Sequence, residues 1–331
     1  MKKILHKVLT QPVLLEKPPV LVDIGASGEI HRAWRIIAEY STCIAFDADT
    51  RDFKVSEQND RGYKKLFMIN RVVGTKSVDE MNFYLTSSPY CSSALEPDND
   101  ALESWAFRDL FTRTKMVKVP ALTLKEALLQ CDVKYVDWYK TDSQGTDLRL
   151  FNSLTDNIKY KILSAEFEPG IIDAYKQEDK LHALMCYMED LPFWITSMDI
   201  KGSQRIYSRD LDGLSKFKQK FIGHFLRTSP GWCEIVYLND FDEIYSERDL
   251  LLGWVIASVK KEFGLALRIA NKGLSTTENP LFQQMVDSTQ KSLNRSSSYI
   301  NFLFKIFRVL MRRFIRGIKT IKNRFDVFNK S

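Results

Sequence analysis

Val20-Leu21-Val22-Asp23-Ile24-Gly25-Ala26-Ser27-Gly28 is the stretch that decides the fold. A mostly apolar run ending at a glycine reads as a strand buried on both faces, the habit of parallel sheets rather than half-exposed antiparallel ones. The two glycines let the backbone turn sharply at the strand's end and come close to a ligand. Working outward, Ile30 to Glu39 has a helical pattern, and Cys43-Ile44-Ala45-Phe46-Asp47 is a second strand ending at an acid. Leu66 to Ile69, Tyr135 to Lys140 and Tyr160 to Phe167 read as further strands, with helical patterns at Thr123 to Gln130 and Thr146 to Leu154. Runs at Phe193 to Met198, Gln204 to Ser208 and Trp232 to Leu238 can complete the sheet. Strands alternating with helices predict a Rossmann-like α/β fold: a doubly wound, mainly parallel sheet with helices on both faces.

The loop after the first strand also narrows the chemistry. A nicotinamide dinucleotide calls for G-x-G-x-x-G, whose glycines and helix N-terminus hold a pyrophosphate. This chain has D-x-G-x-x-G instead. An acid at Asp23 repels a pyrophosphate but attracts a cation such as the amino end of S-adenosylmethionine. Gly25, Ala26 and Gly28 then form the turn beneath the cofactor. About 20 residues on, Asp47 stands where a carboxylate accepts hydrogen bonds from both ribose hydroxyls. A plain β–α turn with solvated acids would leave the same pattern, and ribose binding alone would suit a nicotinamide enzyme too.

Lys140-Thr141-Asp142-Ser143-Gln144-Gly145-Thr146-Asp147 closes the strand beginning near Tyr135. This segment resembles the K-x-D-x-x-G-x-E/D stretch of the FkbM family of methyltransferases. Asp23 to Gly28 resembles that family's cofactor loop, Val119 to Leu124 the opening before the motif, and Ala165-Glu166-Phe167-Glu168-Pro169 the end of its fifth strand. Asp47-Ala48 departs from the usual Glu-Pro, and Leu124-Lys125 from Leu-Asp. The resemblance covers about Val20 to Leu238. It implies a class I methyltransferase fold and methyl transfer from S-adenosylmethionine to a hydroxyl, often on a sugar or natural product.

Such a transfer needs alignment of donor and acceptor, and one proton managed. Asp142, Asp147, Glu166 and Glu168 are expected at the carboxyl edge of the sheet, where ligands of doubly wound folds bind. Asp142 is the first choice for base or acceptor-positioning residue and a neighbour of the cofactor; Glu166 is second. Capping of the next helix or bonding to the Gly145 loop explains Asp142 as well, and a purely structural role explains Asp147 more readily, because an acid in a helix's first turn is favourable without any function. Asp142 and Glu166 would also permit a divalent cation, but no third ligand is evident and none is assigned. His182 is a third catalytic candidate, although its neighbours Leu181, Leu184, Met185 and Met188 read as a core stripe. Ser92 and Ser93 resemble a serine-containing stretch of the family near the cofactor. Trp105, Phe107 and Phe111 suit either an acceptor platform or plain packing.

The net charge of +6 is uneven: residues 299–331 hold nine Lys or Arg against one acid, so the other 298 residues carry −2. The domain reading is a lead-in over 1–19, a catalytic body over 20–242, a helical extension over 243–271, a polar linker over 272–298 and a basic amphipathic tail helix over 299–331. Phe304, Phe307, Met311, Phe314, Ile315 and Ile318 form one apolar stripe beside basic residues. This pattern suits an anionic membrane surface. The stripe packing on protein is the alternative; nucleic acid leaves the apolar face unused. Five scattered cysteines without a C-x-x-C pair, and no apolar leader, predict a reducing, cytoplasmic setting, with the tail able to hold the chain on the inner face of a membrane. A nicotinamide enzyme and a non-catalytic glycan- or partner-binding module are the competing functional readings.

Overall fold

The computed structural model describes residues 1–26, 30–49, 51, 62–215, 217–218, 226–243 and 245–297, and within the tail 303–304, 306–308 and 311. Its centre is the strand expected from the opening motif. β1 (Val20–Ile24) is buried along its whole length, because its neighbours on both sides are parallel strands. These are β2 (Thr42–Phe46) and β7 (Trp138–Thr141). With β3 (Lys65–Ile69), β8 (Ser164–Phe167), β9 (Phe193–Gln204) and β10 (Thr228–Asn239) they make a seven-stranded sheet of order β3-β2-β1-β7-β8-β10-β9. Only β10 runs against the rest, antiparallel to β8 on one side and to β9 on the other. The chain winds away from β1 in one direction and returns to pair β7 on its other side. The switch point therefore lies between β1 and β7, where open α/β sheets bind ligands. A smaller sheet of β4 (Val72–Gly74), β6 (Arg113–Thr123) and β5 (Val78–Thr86) was not anticipated beyond Val119–Leu124.

Strand alternation sends side chains to two cores. Leu21, Cys43, Trp138 and Leu238 meet the N-terminal helix Lys2–Leu9 and the helices Glu247–Lys260 and Phe263–Thr276. Val22, Ile24, Ile44, Phe46 and Tyr139 face the helices Leu124–Gln130, Asp147–Asn152 and Leu181–Met188. Ser246 caps the Glu247 helix by accepting from the Asp249 N–H. The helix ends at Lys261, with φ of +66°, so the helical extension expected over 243–271 is two helices. Arg248 in its first turn donates twice, at 2.7 Å, to the buried carboxylate of Asp137 just before β7. Removing one partner of a pair so buried costs about 3–5 kcal/mol.

Two expectations need correction. Of the linker expected over 272–298, the described residues 272–297 are not a linker: they finish the Phe263 helix and form a further helix, Leu281–Ser297. Leu281, Phe282, Met285 and Val286 recur at helical spacing and are buried; that period, and not the polar composition, decided the structure. Gly273 makes room for the crossing, since a Cβ there would sit 2.1 Å from the Phe282 ring. In the stretch Ile30 to Glu39 the described structure is two tight 3₁₀ turns, Arg32–Ile36 and Ala38–Tyr40. His31 supplies no side-chain cap, and the bonds run from Trp34 N–H to His31 O and from Ile37 N–H to Trp34 O. Among the described residues no helix is long and apolar enough to cross a membrane.

Candidate active site

Two cavities open at the carboxyl ends of the strands, and they share Tyr90, Asp142 and Gln144. The first is lined by Ile24 at the end of β1 and Gly25 in the turn, by Phe46 at the end of β2 with Asp47 and Asp49 beyond it, and by Asp142. Val72, Val73 and Phe83 of the small sheet close an apolar side. Gly25 has φ of +83°, and a Cβ on it would lie 2.2 Å from the carbonyl oxygen of Asp142. Only glycine lets the β1 turn touch the end of β7 so closely. Hydrogen bonds from Gly25 N–H and Ala26 N–H to Phe46 O, and from Asp142 N–H to Ile24 O, hold the three strand ends in register.

Asp47 accepts from the Asp49 N–H at 2.8 Å. Burial, with Asp49, Asp23 and Asp142 nearby, pushes its carboxyl up to about 7, against that one stabilising hydrogen bond. Asp49 is held by the Arg51 guanidinium, which also donates to Ser92 Oγ at 2.8 Å and to the Thr86 carbonyl. Ser92 thus lines the first cavity within an ion-pair network. Ser93 lines neither cavity, and its hydroxyl donates to Gln144 O at 2.7 Å and accepts from Leu95 N–H.

Asp142 occupies the junction. The Gln144 amide donates to its carboxylate, and the Tyr175 hydroxyl lies 2.8 Å from both Gln144 Oε1 and Cys91 O. Burial raises the Asp142 carboxyl above the usual carboxylate range, while Lys140 and the Gln144 amide pull the other way. Asp147, in the first turn of its helix, has the structural role: it accepts from Thr141 Oγ1, Ser143 N–H and Ser143 Oγ, and fixes the loop that carries Asp142. Glu168, just past β8, lines the second cavity. Burial pushes its carboxyl up to about 9, with Asp142 beside it adding to the rise.

Three sequence assignments change. Asp23 lines neither cavity; it stands beside Lys140 in the β1–β7 register and accepts its ammonium at 2.9 Å. Strand alternation turns both toward the opposite side of the sheet from Ile24. Glu166 likewise faces away, accepting from Lys260 Nζ at 2.6 Å and Trp138 Nε1 at 2.7 Å, with His31 Nε2 3.9 Å distant. It therefore cannot join Asp142 around a cation, and Glu168 takes its place at the cavity. His182 is exposed on the outer face of its helix and lines neither cavity. Gly28 lies outside the described residues. Gln144, Tyr175 and Trp232 were not foreseen; Gln144 sits inside the motif, but nothing nearby in the sequence marks the other two.

Among the described residues no group of three or more His, Cys, Asp or Glu side chains is placed to hold a metal. Comparison with protein-family models, with curated proteins and with solved structures gave no match.

Proposed function

We propose that this chain is an S-adenosylmethionine-dependent O-methyltransferase acting on a hydroxyl of a sugar, glycan or natural product. The observation that carries the reading is the meeting of two cavities at Asp142, at the sheet's switch point. One has the features of a nucleoside site: a glycine turn, apolar walls and a strand-end carboxylate at Asp47. The residues fit S-adenosylmethionine as follows. Asp47 would accept from ribose hydroxyls, Val72, Val73 and Phe83 would flank the base, and the Gly25 turn and Asp142 would meet the methionine end. When bound, the cofactor supplies a methyl group on a sulfonium, electrophilic enough that the protein's task is alignment. Asp142, held by Gln144, orients the acceptor hydroxyl, and the carboxylates of Asp142 and Glu168 are the groups able to take its proton.

The basic tail is proposed to lie on an anionic membrane surface. In its described residues Phe304 is 68% and Phe307 62% exposed, which supports an apolar face in need of a partner. Deleting the chain from Ser298 onward is then expected to move the protein from membrane to soluble fractions, and continued sedimentation with membranes would refute the idea. Calorimetric titration with S-adenosylhomocysteine tests the main reading. Micromolar binding abolished by Asp47→Ala supports it; no binding to folded protein favours a non-catalytic module.

A further inference from the structure

The second cavity, of about 340 Å³, lies within the range of small-ligand sites. Phe107, Phe111, Tyr175 and Trp232 supply its aromatic walls. Phe107 is the hub, 5.4 Å from the Phe111 ring and 6.1 Å from that of Trp232, and Phe111 meets Tyr175 edge to face at 5.6 Å. The charged residues among its lining are the acids Asp142, Glu168 and Glu178. Among the described lining residues none is Lys, Arg or His. Lys180 is paired with the lining acid Glu178 and with Asp173, and Lys140 with Asp23, so the acids left to meet a ligand are Asp142 and Glu168. The cofactor cavity differs, for Arg71 lines it.

We infer that the acceptor carries a protonated amine beside the hydroxyl to be methylated, as an amino sugar or an aromatic amino alcohol does. This rests on the methyltransferase reading and narrows its substrate class. An aromatic wall attracts a cation through the ring quadrupole, and a carboxylate in a partly dry cavity gains from an ammonium partner what it lost on burial. Glu168 has most to gain, its carboxyl being pushed up to about 9 by burial and by Asp142. A phosphorylated or carboxylated acceptor would meet the acids Asp142 and Glu168, while Lys180 is already taken up by Glu178 and Asp173. The ammonium serves as a handle only: without a free lone pair it cannot attack, so the hydroxyl remains the methyl acceptor.

The test is calorimetric titration of the full chain, alone and saturated with S-adenosylhomocysteine, with two matched pairs: glucosamine against glucose, and benzylamine against benzyl alcohol. The expected result is at least tenfold tighter binding of the amine in one pair or both, a preference lost in Glu168→Gln. Phe111→Leu, which keeps the cavity apolar but removes a ring, is expected to weaken the amine several-fold. Equal binding within both pairs, no binding of either amine, or a preference that survives Glu168→Gln overturns the inference. The cofactor titration is read separately. Failure to bind S-adenosylhomocysteine with the amine preference intact removes the methyltransferase reading and leaves a cation pocket; the reverse removes only the amine.

Discussion

The two cavities differ in how the chain builds them. The first is made largely of strand ends and the turns that follow: Ile24 ending β1 with Gly25 after it, Phe46 ending β2 with Asp47 after it, and Asp142 after β7. Its polar groups sit on backbone fixed by the sheet ladder. The second draws Phe107 and Phe111, Glu168 and Tyr175, and Trp232 from segments far apart in sequence, brought together by packing of side chains. A site on strand ends is legible from a local motif and depends on backbone geometry; a site of packed side chains is invisible to motifs and depends on shape.

That contrast predicts a gradient of effects. The largest belongs to Gly25→Val, because the turn serves both cavities. The positive φ and the 2.2 Å approach to Asp142 O require the backbone to move, at a cost of about 3 kcal/mol or more. Urea unfolding is expected to show that loss, and binding at both cavities to fall together. If only one cavity suffers, the shared turn is not what joins them.

Asp47→Asn is expected to separate binding from stability. The wild-type carboxyl, raised from 3.8 to about 7, is favoured in its neutral form by folding. Its contribution to stability is therefore intact below about pH 4 and lost as the pH rises through 7. The variant should match wild type near pH 4 and be more stable at pH 8, by about 1–2 kcal/mol after allowing for solvent at this edge. It should also bind S-adenosylhomocysteine at least tenfold more weakly, while wild-type affinity increases from pH 6 to pH 8. Thermal unfolding and calorimetry across that range check both signs; a variant less stable at pH 8 would show that Asp47 is held as an anion.

Tyr175→Phe tests the junction on a smaller scale. Losing a buried hydroxyl next to Cys91 O and Gln144 Oε1 is expected to cost about 1–2 kcal/mol. Amine binding should weaken more than cofactor binding, since Tyr175 lines only the second cavity. Smallest of all is His182→Ala. An exposed histidine off both cavities should leave stability within about 0.5 kcal/mol and both affinities unchanged by titration; a clear loss would place His182 at the site after all.

How far the sequence led follows from the same physics. β1, β2 and β7 were legible because a buried parallel strand is an apolar run with no competing pattern. Asp47 and Asp142 were legible because each ends such a run. Asp23 and Glu166 belong to the same runs, but strand alternation aimed them at Lys140 and Lys260 on the other side of the sheet. Motif position alone does not say to which side of the sheet an acid turns. The helix Leu281–Ser297 was hidden by its polar composition, though Phe282 and Met285 carry its buried stripe.

By itself, then, the sequence determined the α/β class, the place of the turn at Gly25 and the two acids that bound the first cavity, because those features are local: periodicity, a glycine's freedom and the end of a strand. Only the tertiary structure decided that Glu168 rather than Glu166 faces the site, that His182 does not, and that Phe107, Phe111, Tyr175 and Trp232 wall one cavity with three carboxylates. These depend on which side of the sheet a residue takes and on contacts across long stretches of chain, and neither quantity is written in any local pattern.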